Sequence, residues 1–297
     1  MTKKIATGAE KIATGAEKIA TGAEKIATGI RSAARPIAVL AGAGVSQSAG
    51  VPTGQDLLES VARQRGEDPG SDPVAWYLRS VGGFPDYFGM VGDGTDALPE
   101  AIFDQPAPTP AHRAIARMTA AGLVGPILTT NLDRLLEKAL REQALPFELA
   151  YDLNTLTRIL NNLRPPPDGP ERIDDQSAQT VHKVVVLKLH GDYRDIGIRH
   201  TALGDHIYHG VIDDLLDRLF AEFDLLVCGW SASWDVPLRR ALRRATRGQI
   251  WWLQCGPPSA AAQSTFAARH PMVAPVTSSD EGLTTLSTLL LDPDRDI

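Results

Sequence analysis

An open, mostly parallel α/β sheet with helices on both faces is the fold this sequence predicts, and three observations predict it. Short apolar runs alternate with helix-spaced segments along most of the chain. One run, Val181 to Leu189 (VHKVVVLKL), is apolar almost throughout, as a strand covered on both faces is. Four of the runs end in glycine-rich or polar turns: Gly42-Ala43-Gly44-Val45-Ser46, Thr130-Asn131-Leu132-Asp133, His190-Gly191 and Gly229-Trp230-Ser231. If the strands are parallel, all four turns lie along one edge of the sheet, at the carboxyl ends where ligands bind.

The chain has 297 residues, 43% of them hydrophobic, enough for one large α/β domain or two small ones. A net charge of −6 argues against bulk nucleic-acid binding. The two cysteines, Cys228 and Cys255, sit in apolar runs and read as buried thiols. They are too few for a tetra-cysteine zinc site or a disulfide scaffold, so a reducing cytoplasm is the expected location. No apolar run reaches the roughly 18 residues of a membrane span, so no membrane partner is expected.

Residues 2 to 29 repeat with a strict period of seven, TKKIATG followed by AEKIATG three times. A coiled-coil seam needs two apolar positions per heptad, whereas only Ile5, Ile12, Ile19 and Ile26 are strongly apolar here. Each heptad also carries a glycine and a threonine, both weak helix formers. The expectation is a flexible or weakly helical arm over 1–35, with a self-associating helix as the alternative, and a single domain over 36–297.

The domain opens with a buried strand, Ile37 to Leu40, that runs into Gly42-Ala43-Gly44 and a helix start. Such a turn aims bare N–H groups at an anion such as a pyrophosphate. Gly42 and Gly44 allow a sharp bend and close approach, and Ser46 can cap the turn or donate to a phosphate or ribose oxygen. The third glycine of G-x-G-x-x-G is absent: Gln47 stands there, and the next glycine is Gly50. A corner that needs small residues merely to pack is the other reading.

Thr53 to Arg65 has helical spacing, Gly66 to Pro73 is a loop by its turn residues, and Val74 to Ser80 is a short helix. Gly82 to Pro110, rich in Gly, Pro and Asp, is expected to form irregular cover over a cleft. Ala111 to Ala121 returns to helix and Val124 to Thr129 is a strand. After its polar turn a helix places Leu135, Leu136, Ala139 and Leu140 on one face. Phe147 to Tyr151 is a strand and Arg164 to Thr180 a surface loop. Then come the central strand, a helix over Asp205 to Phe223, a strand over Leu225 to Cys228 and a helix over Pro237 to Thr246. Ile250 to Leu253 and Met272 to Val276 are the last strands, with Pro275 suited to an edge.

Taken together in this order, the four turns resemble the sirtuin-like NAD-binding domain, over Pro36 to roughly Leu290. GAGVS with Gly50-Val51-Pro52 resembles the family's phosphate loop, TTNLDRLLEKAL its Asn/Asp segment, KLHGD its catalytic-histidine segment and CGWS its Gly-x-Ser ribose-binding turn. Two departures stand out. The paired Cys-x-x-Cys zinc module of protein-deacylating sirtuins is missing, and Thr53-Gly54-Gln55-Asp56 replaces the usual Asp-Phe-Arg. The chain looks closer to the zinc-free bacterial branch, whose members typically hydrolyse NAD and often act in anti-phage defence.

The resemblance implies an NAD glycohydrolase that needs no metal. Asn131 would position the attacking water or ribose and Asp133 would contact the nicotinamide amide. His190 would bond the ribose hydroxyls and act as base. Gly42, Ala43, Gly44 and Ser46 would hold the pyrophosphate, with Thr130 beside them, and Gly229 and Ser231 would hold the adenine-side ribose. Structural roles compete residue by residue: Asn131 and Ser231 as caps, Asp133 complementing a helix dipole, His190 as a strand-end histidine. The rival activities are an NAD-dependent deacylase or ADP-ribosyltransferase, and a non-catalytic NAD or ADP-ribose sensor. Defence effectors of this kind are held inactive until triggered, which implies an activating or sensor protein partner or assembly into a homo-oligomer.

His182, His200, His206 and His209 have no metal-ligand spacing. Arg239, Arg240, Arg243, Arg244 and Arg247 share one helical face opposite Leu238, Ala241, Leu242 and Ala245, read as a solvated face or a protein contact. Trp230, Trp234, Trp251 and Trp252 read as core or cleft wall, with Trp230 also placed to stack on a base.

Overall fold

Seven short apolar segments are strands: β1 (Ile37–Ala41), β2 (Ile127–Thr129), β3 (Phe147–Ala150), β4 (Val184–Lys188), β5 (Asp224–Cys228), β6 (Ile250–Cys255) and β7 (Met272–Val276). They pair in parallel throughout, in the order β3-β4-β2-β1-β5-β6-β7. The computed structural model describes residues 22–70, 72–81, 99–162, 183–194, 210–233 and 235–292. Its helices are α1 (22–31), α2 (Gly54–Arg65), α3 (Pro73–Ser80), α4 (Pro99–Phe103), α5 (Pro110–Ala120), α6 (Leu135–Glu142), α7 (Leu153–Asn162), α8 (Gly210–Glu222), α9 (Val236–Arg244), α10 (Ala260–Phe266) and α11 (Ser279–Leu291).

Both faces of the sheet are covered, and side-chain alternation along each strand divides the core in two. Ile37, Val39 and Ala41 of β1 join Leu226 and Trp251 under α1, α5, α6 and α11. Ala38 and Leu40 join Val227 and Trp252 under α7, α8, α9 and α10. This is the doubly wound α/β architecture that the sequence predicts. From β1 the chain lays β2, the edge strand β3 and then β4 between them on one side, and β5, β6 and β7 on the other, so the strand order reverses between β1 and β5, the position at which open α/β sheets form a ligand crevice. A third apolar cluster, with Leu57, Leu58, Phe103, Leu132, Leu135 and Tyr193, gathers beside the carboxyl edge.

Several expectations are corrected. Of the flexible or weakly helical arm expected over 1–35, the described part is a helix over residues 22–31, with Ile26 and Ile30 buried in the core. The glycines that count against a helix in water let this one sit close. A Cβ on Gly29 would lie 2.6 Å from Trp251 Nε1, and one on Gly22 would lie 2.9 Å from Ala274 Cβ. After β1 the chain makes two single 3₁₀ turns, Ala43–Val45 and Gln47–Ala49, in place of the expected helix start. The α-helix waits until Thr53, whose side chain and that of Asp56 form a capping box.

Part of the expected irregular cover is the short helix α4. The helices α7, α10 and α11 have no counterpart in the sequence reading. Trp230 is 6% exposed and packs edge-on against Phe266, so it is core and not a stacking platform. Pro275 lies on the edge strand β7, as expected. Residues 1–21, 82–98, the loop at 164–180, the start of the helix expected from Asp205, His182, His200, His206, His209 and Trp234 lie outside the described residues.

Candidate functional site

The four turns follow β4, β2, β1 and β5, which are adjacent in the sheet, so they form one continuous row along its carboxyl edge. Direct bonds tie each turn to the next. Gly44 N–H donates to Gly229 O at 2.9 Å, Thr130 N–H to Ala41 O at 3.3 Å, and Tyr193 N–H to Leu132 O at 3.2 Å.

The first turn is built by close packing. A Cβ on Gly42 would meet Gly229 O at 2.5 Å, and one on Gly229, where φ is +66°, would meet Val45 N at 2.7 Å. The N–H groups of Gly42, Gly44, Val45 and Ser46 are each bonded to a protein carbonyl. The turn is therefore not a cradle of four bare amides, and its half-buried residues are the small Ala43 and Gly44.

Ser46 is fully buried and sits at the centre of a polar network. Its hydroxyl donates to Asp133 Oδ2 at 2.7 Å and accepts from Asn131 Nδ2 at 2.9 Å. His112 Nε2 lies 3.3 Å away. Burial pushes the His112 imidazole below its ordinary value of 6.5, against the pull of Asp133 and Asp280, so the ring is neutral near pH 7. Its Nδ1 accepts from Thr109 N–H at 3.1 Å, which puts the proton on Nε2 and makes that nitrogen a donor to Ser46. Ser46 thus accepts two bonds and donates one, so its hydroxyl is committed inward, where the sequence predicts a cap on the turn or a donor to a phosphate or ribose oxygen. Asp133 is equally engaged, its Oδ1 accepting from Leu135 N–H at 3.0 Å.

Asn131 is held from below and open at one atom. Its backbone N–H donates to Thr129 Oγ1 at 3.0 Å and its Nδ2 to Ser46, but Oδ1, though buried, has no partner among the described residues. A small cleft bounded by Ala41, Val45, His112, Asn131, Asp133 and Leu136 lies at this point. An unpartnered buried acceptor is costly, and a ligand donor would relieve it.

His190, partly exposed after β4, bonds through Nε2 to Asp235 Oδ2 at 2.9 Å. Asp235 caps α9, its Oδ1 accepting from Leu238 N–H at 3.0 Å. The contact spans the ends of the two intervening strands, β2 and β1. Thr130 is half-buried and Ser231 exposed, its Oγ accepting from Ser233 N–H at 3.3 Å.

Behind the row, fully buried Lys188 reaches Glu137 and Asp192, and Arg134 bonds both oxygens of Asp192. Burial alone would raise the Asp192 carboxyl, but its bonds to Arg134 and the charge of Lys188 outweigh it and hold the group below its ordinary 3.8. Burial pushes Glu137 above its usual 4.5 even beside that ammonium.

Sequence reasoning missed His112, Asp235, Lys188, Glu137, Arg134 and Asp192. Two signals were available. Asp235 stands just before Val236-Pro237, a helix-start signature, and Lys188 is a lone charge that alternation turns inward. Among the described residues no group of three or more His, Cys, Asp or Glu is placed to hold a metal.

Residues 126–270, from the approach to β2 up to the approach to β7, match the family model of the SIR2-like domain. No curated protein matches the chain. Among solved structures it is similar to one from a study of the mechanism and regulation of Sir2 enzymes, at 17% identity over 93% of this chain and 99% of that one, with a TM-score of 0.46. A mutant Sir2 homologue in complex with ADP-ribose shares 15% identity over 91% and 96%, with a TM-score of 0.48. A Sir2 homologue–NAD complex shares 17% over 91% and 94%, with a TM-score of 0.43.

Proposed function

We propose that the chain binds NAD at the carboxyl edge of its sheet and hydrolyses it to nicotinamide and ADP-ribose. The observation that carries this reading is the buried, unpartnered Oδ1 of Asn131, in the same row of turns as the His190–Asp235 pair. Dinucleotides occupy the switch point of a doubly wound sheet, here between β1 and β5, with the nicotinamide half toward β2 and β4. Ala43 and Gly44 lie under the pyrophosphate, and Gly229 and Ser231 beside the adenine-side ribose.

In the reaction the bond between nicotinamide and ribose breaks, its electron pair leaves with nicotinamide, and water adds to the oxocarbenium-like ribose carbon. Asn131 Oδ1 accepts a bond from that water or from the amide of the leaving group. Water gives up one proton as it adds, and His190 takes it. The contact of Nε2 with Asp235 orients the imidazole for that transfer. Asp133 and Ser46 act on Asn131 and not on substrate.

The test is mass-spectrometric product analysis of NAD with purified protein and an acyl-lysine peptide, beside Asn131→Ala and His190→Ala. Free ADP-ribose and nicotinamide, lost in both variants, support the hydrolase. Acyl-ADP-ribose would assign a deacylase instead, and intact NAD with retained binding a sensor.

A further inference from the structure

Lys188 takes no part in the chemistry just described, yet it is the most unusual side chain beside the site. Its ammonium is fully buried, a placement that is costly unless oxygens replace its water shell. Four oxygens do so: the carbonyls of Leu132 at 3.2 Å and Asp133 at 2.6 Å, Glu137 Oε1 at 3.1 Å and Asp192 Oδ2 at 2.9 Å. They come from the turn after β2, the first turn of α6 and the turn after β4. Arg134 completes the balance by bonding both oxygens of Asp192, so two cations face two carboxylates. Packing alone does not call for this arrangement, since apolar residues of similar volume often serve a fold as well as a buried ion pair.

The position of Lys188 in the chain says what it does. Asn131 immediately precedes the two carbonyls that Lys188 holds, and His190 lies between Lys188 and Asp192. We propose that Lys188 is a positioning residue, a buried strut that sets the distance between Asn131 and His190 by clamping their two turns to one ammonium. The kinetic part of this inference rests on the NAD-cleaving reading, and its structural part does not. A displacement of about 1 Å between reacting groups costs about 100-fold in rate.

The double variant Lys188→Met/Glu137→Gln removes the ammonium and neutralises one carboxylate, leaving Asp192 with Arg134. Amide hydrogen exchange of the full chain is measured together with NAD turnover and ADP-ribose binding. The strut predicts exchange rising about tenfold in both 130–135 and 189–194, with β6 and β7 unchanged. It also predicts kcat falling about 100-fold while the Kd for ADP-ribose stays within about threefold. Should the double variant not fold, Asp192→Asn, which keeps Lys188 and the shape of the cluster, carries the test with effects of the same direction. Unchanged exchange in either turn, exchange rising across the whole sheet, or kcat within about threefold of wild type would each overturn the proposal. A wild-type protein that leaves NAD intact refutes the hydrolase reading instead, and exchange alone then decides the strut.

Discussion

His190 and Asp235 form a hydrogen-bonded pair, and the same carboxylate uses its other oxygen to cap α9. The two roles can be separated. Asp235→Asn keeps a cap acceptor but removes the carboxylate from the imidazole. NAD turnover is expected to fall on the order of 100-fold in this variant with little change in stability. Asp235→Ala loses the cap as well, and about 1 kcal/mol of stability with it. Steady-state kinetics beside thermal melts tell the two apart, and equal melting losses in both variants would count against the division.

Ser46→Ala removes the shared hydroxyl between Asn131 and Asp133. It leaves Asn131 Nδ2 and Asp133 Oδ2 buried and short of a partner, so a stability loss of roughly 1–3 kcal/mol is expected by urea titration. Turnover should fall while ADP-ribose affinity changes little, because the hydroxyl faces the network and not the cleft.

His112 gives the fold a pH dependence. Its folded pKa lies below its ordinary 6.5, so below that value the unfolded chain binds a proton that the folded ring resists. The stability is fully present above about pH 6.5 and is lost as pH falls through the window toward the depressed folded value. Asp192 acts in the same direction lower down: its contribution is present above about 3.8 and is lost as pH falls through its own depressed value. Urea titrations of wild type and His112→Gln between pH 7.5 and about 5 should diverge, the variant showing the flatter slope. Parallel slopes would place the dependence elsewhere.

Ile26→Ala tests whether α1 belongs to the core. Ile26 is fully buried among core residues, and truncation there is expected to cost roughly 2–5 kcal/mol by chemical denaturation. A loss under about 0.5 kcal/mol, as at a surface site, would return the segment to the status of an arm.

The sheet was legible in the sequence because its strands are short apolar runs closed by turn residues, as in β1, β5 and β6. The row of turns was legible for the same reason: parallel topology turns four separate motifs into one edge. What escaped was set by partners distant in sequence. Ser46 turns inward because Asp133 and Asn131 wait there, and the Gly44 amide is taken by Gly229 across the crevice. The helix α11 escaped because SDEGLTTLSTLLL is apolar on too many sides for a clear stripe. The helix α1 escaped because its glycines count against a helix in water and in favour of one pressed against Trp251.

The tandem origin of that first helix has one more consequence. Residues 23–29 are a copy of 9–15 and of 16–22, so deleting or adding a whole AEKIATG unit upstream regenerates the same residues at the face that meets Trp251 and Ala274. Slippage in the coding repeat would change the length of the chain in steps of seven residues while leaving this packed surface intact. The N-terminal boundary of the domain is buffered against a kind of mutation that repeats of this kind invite.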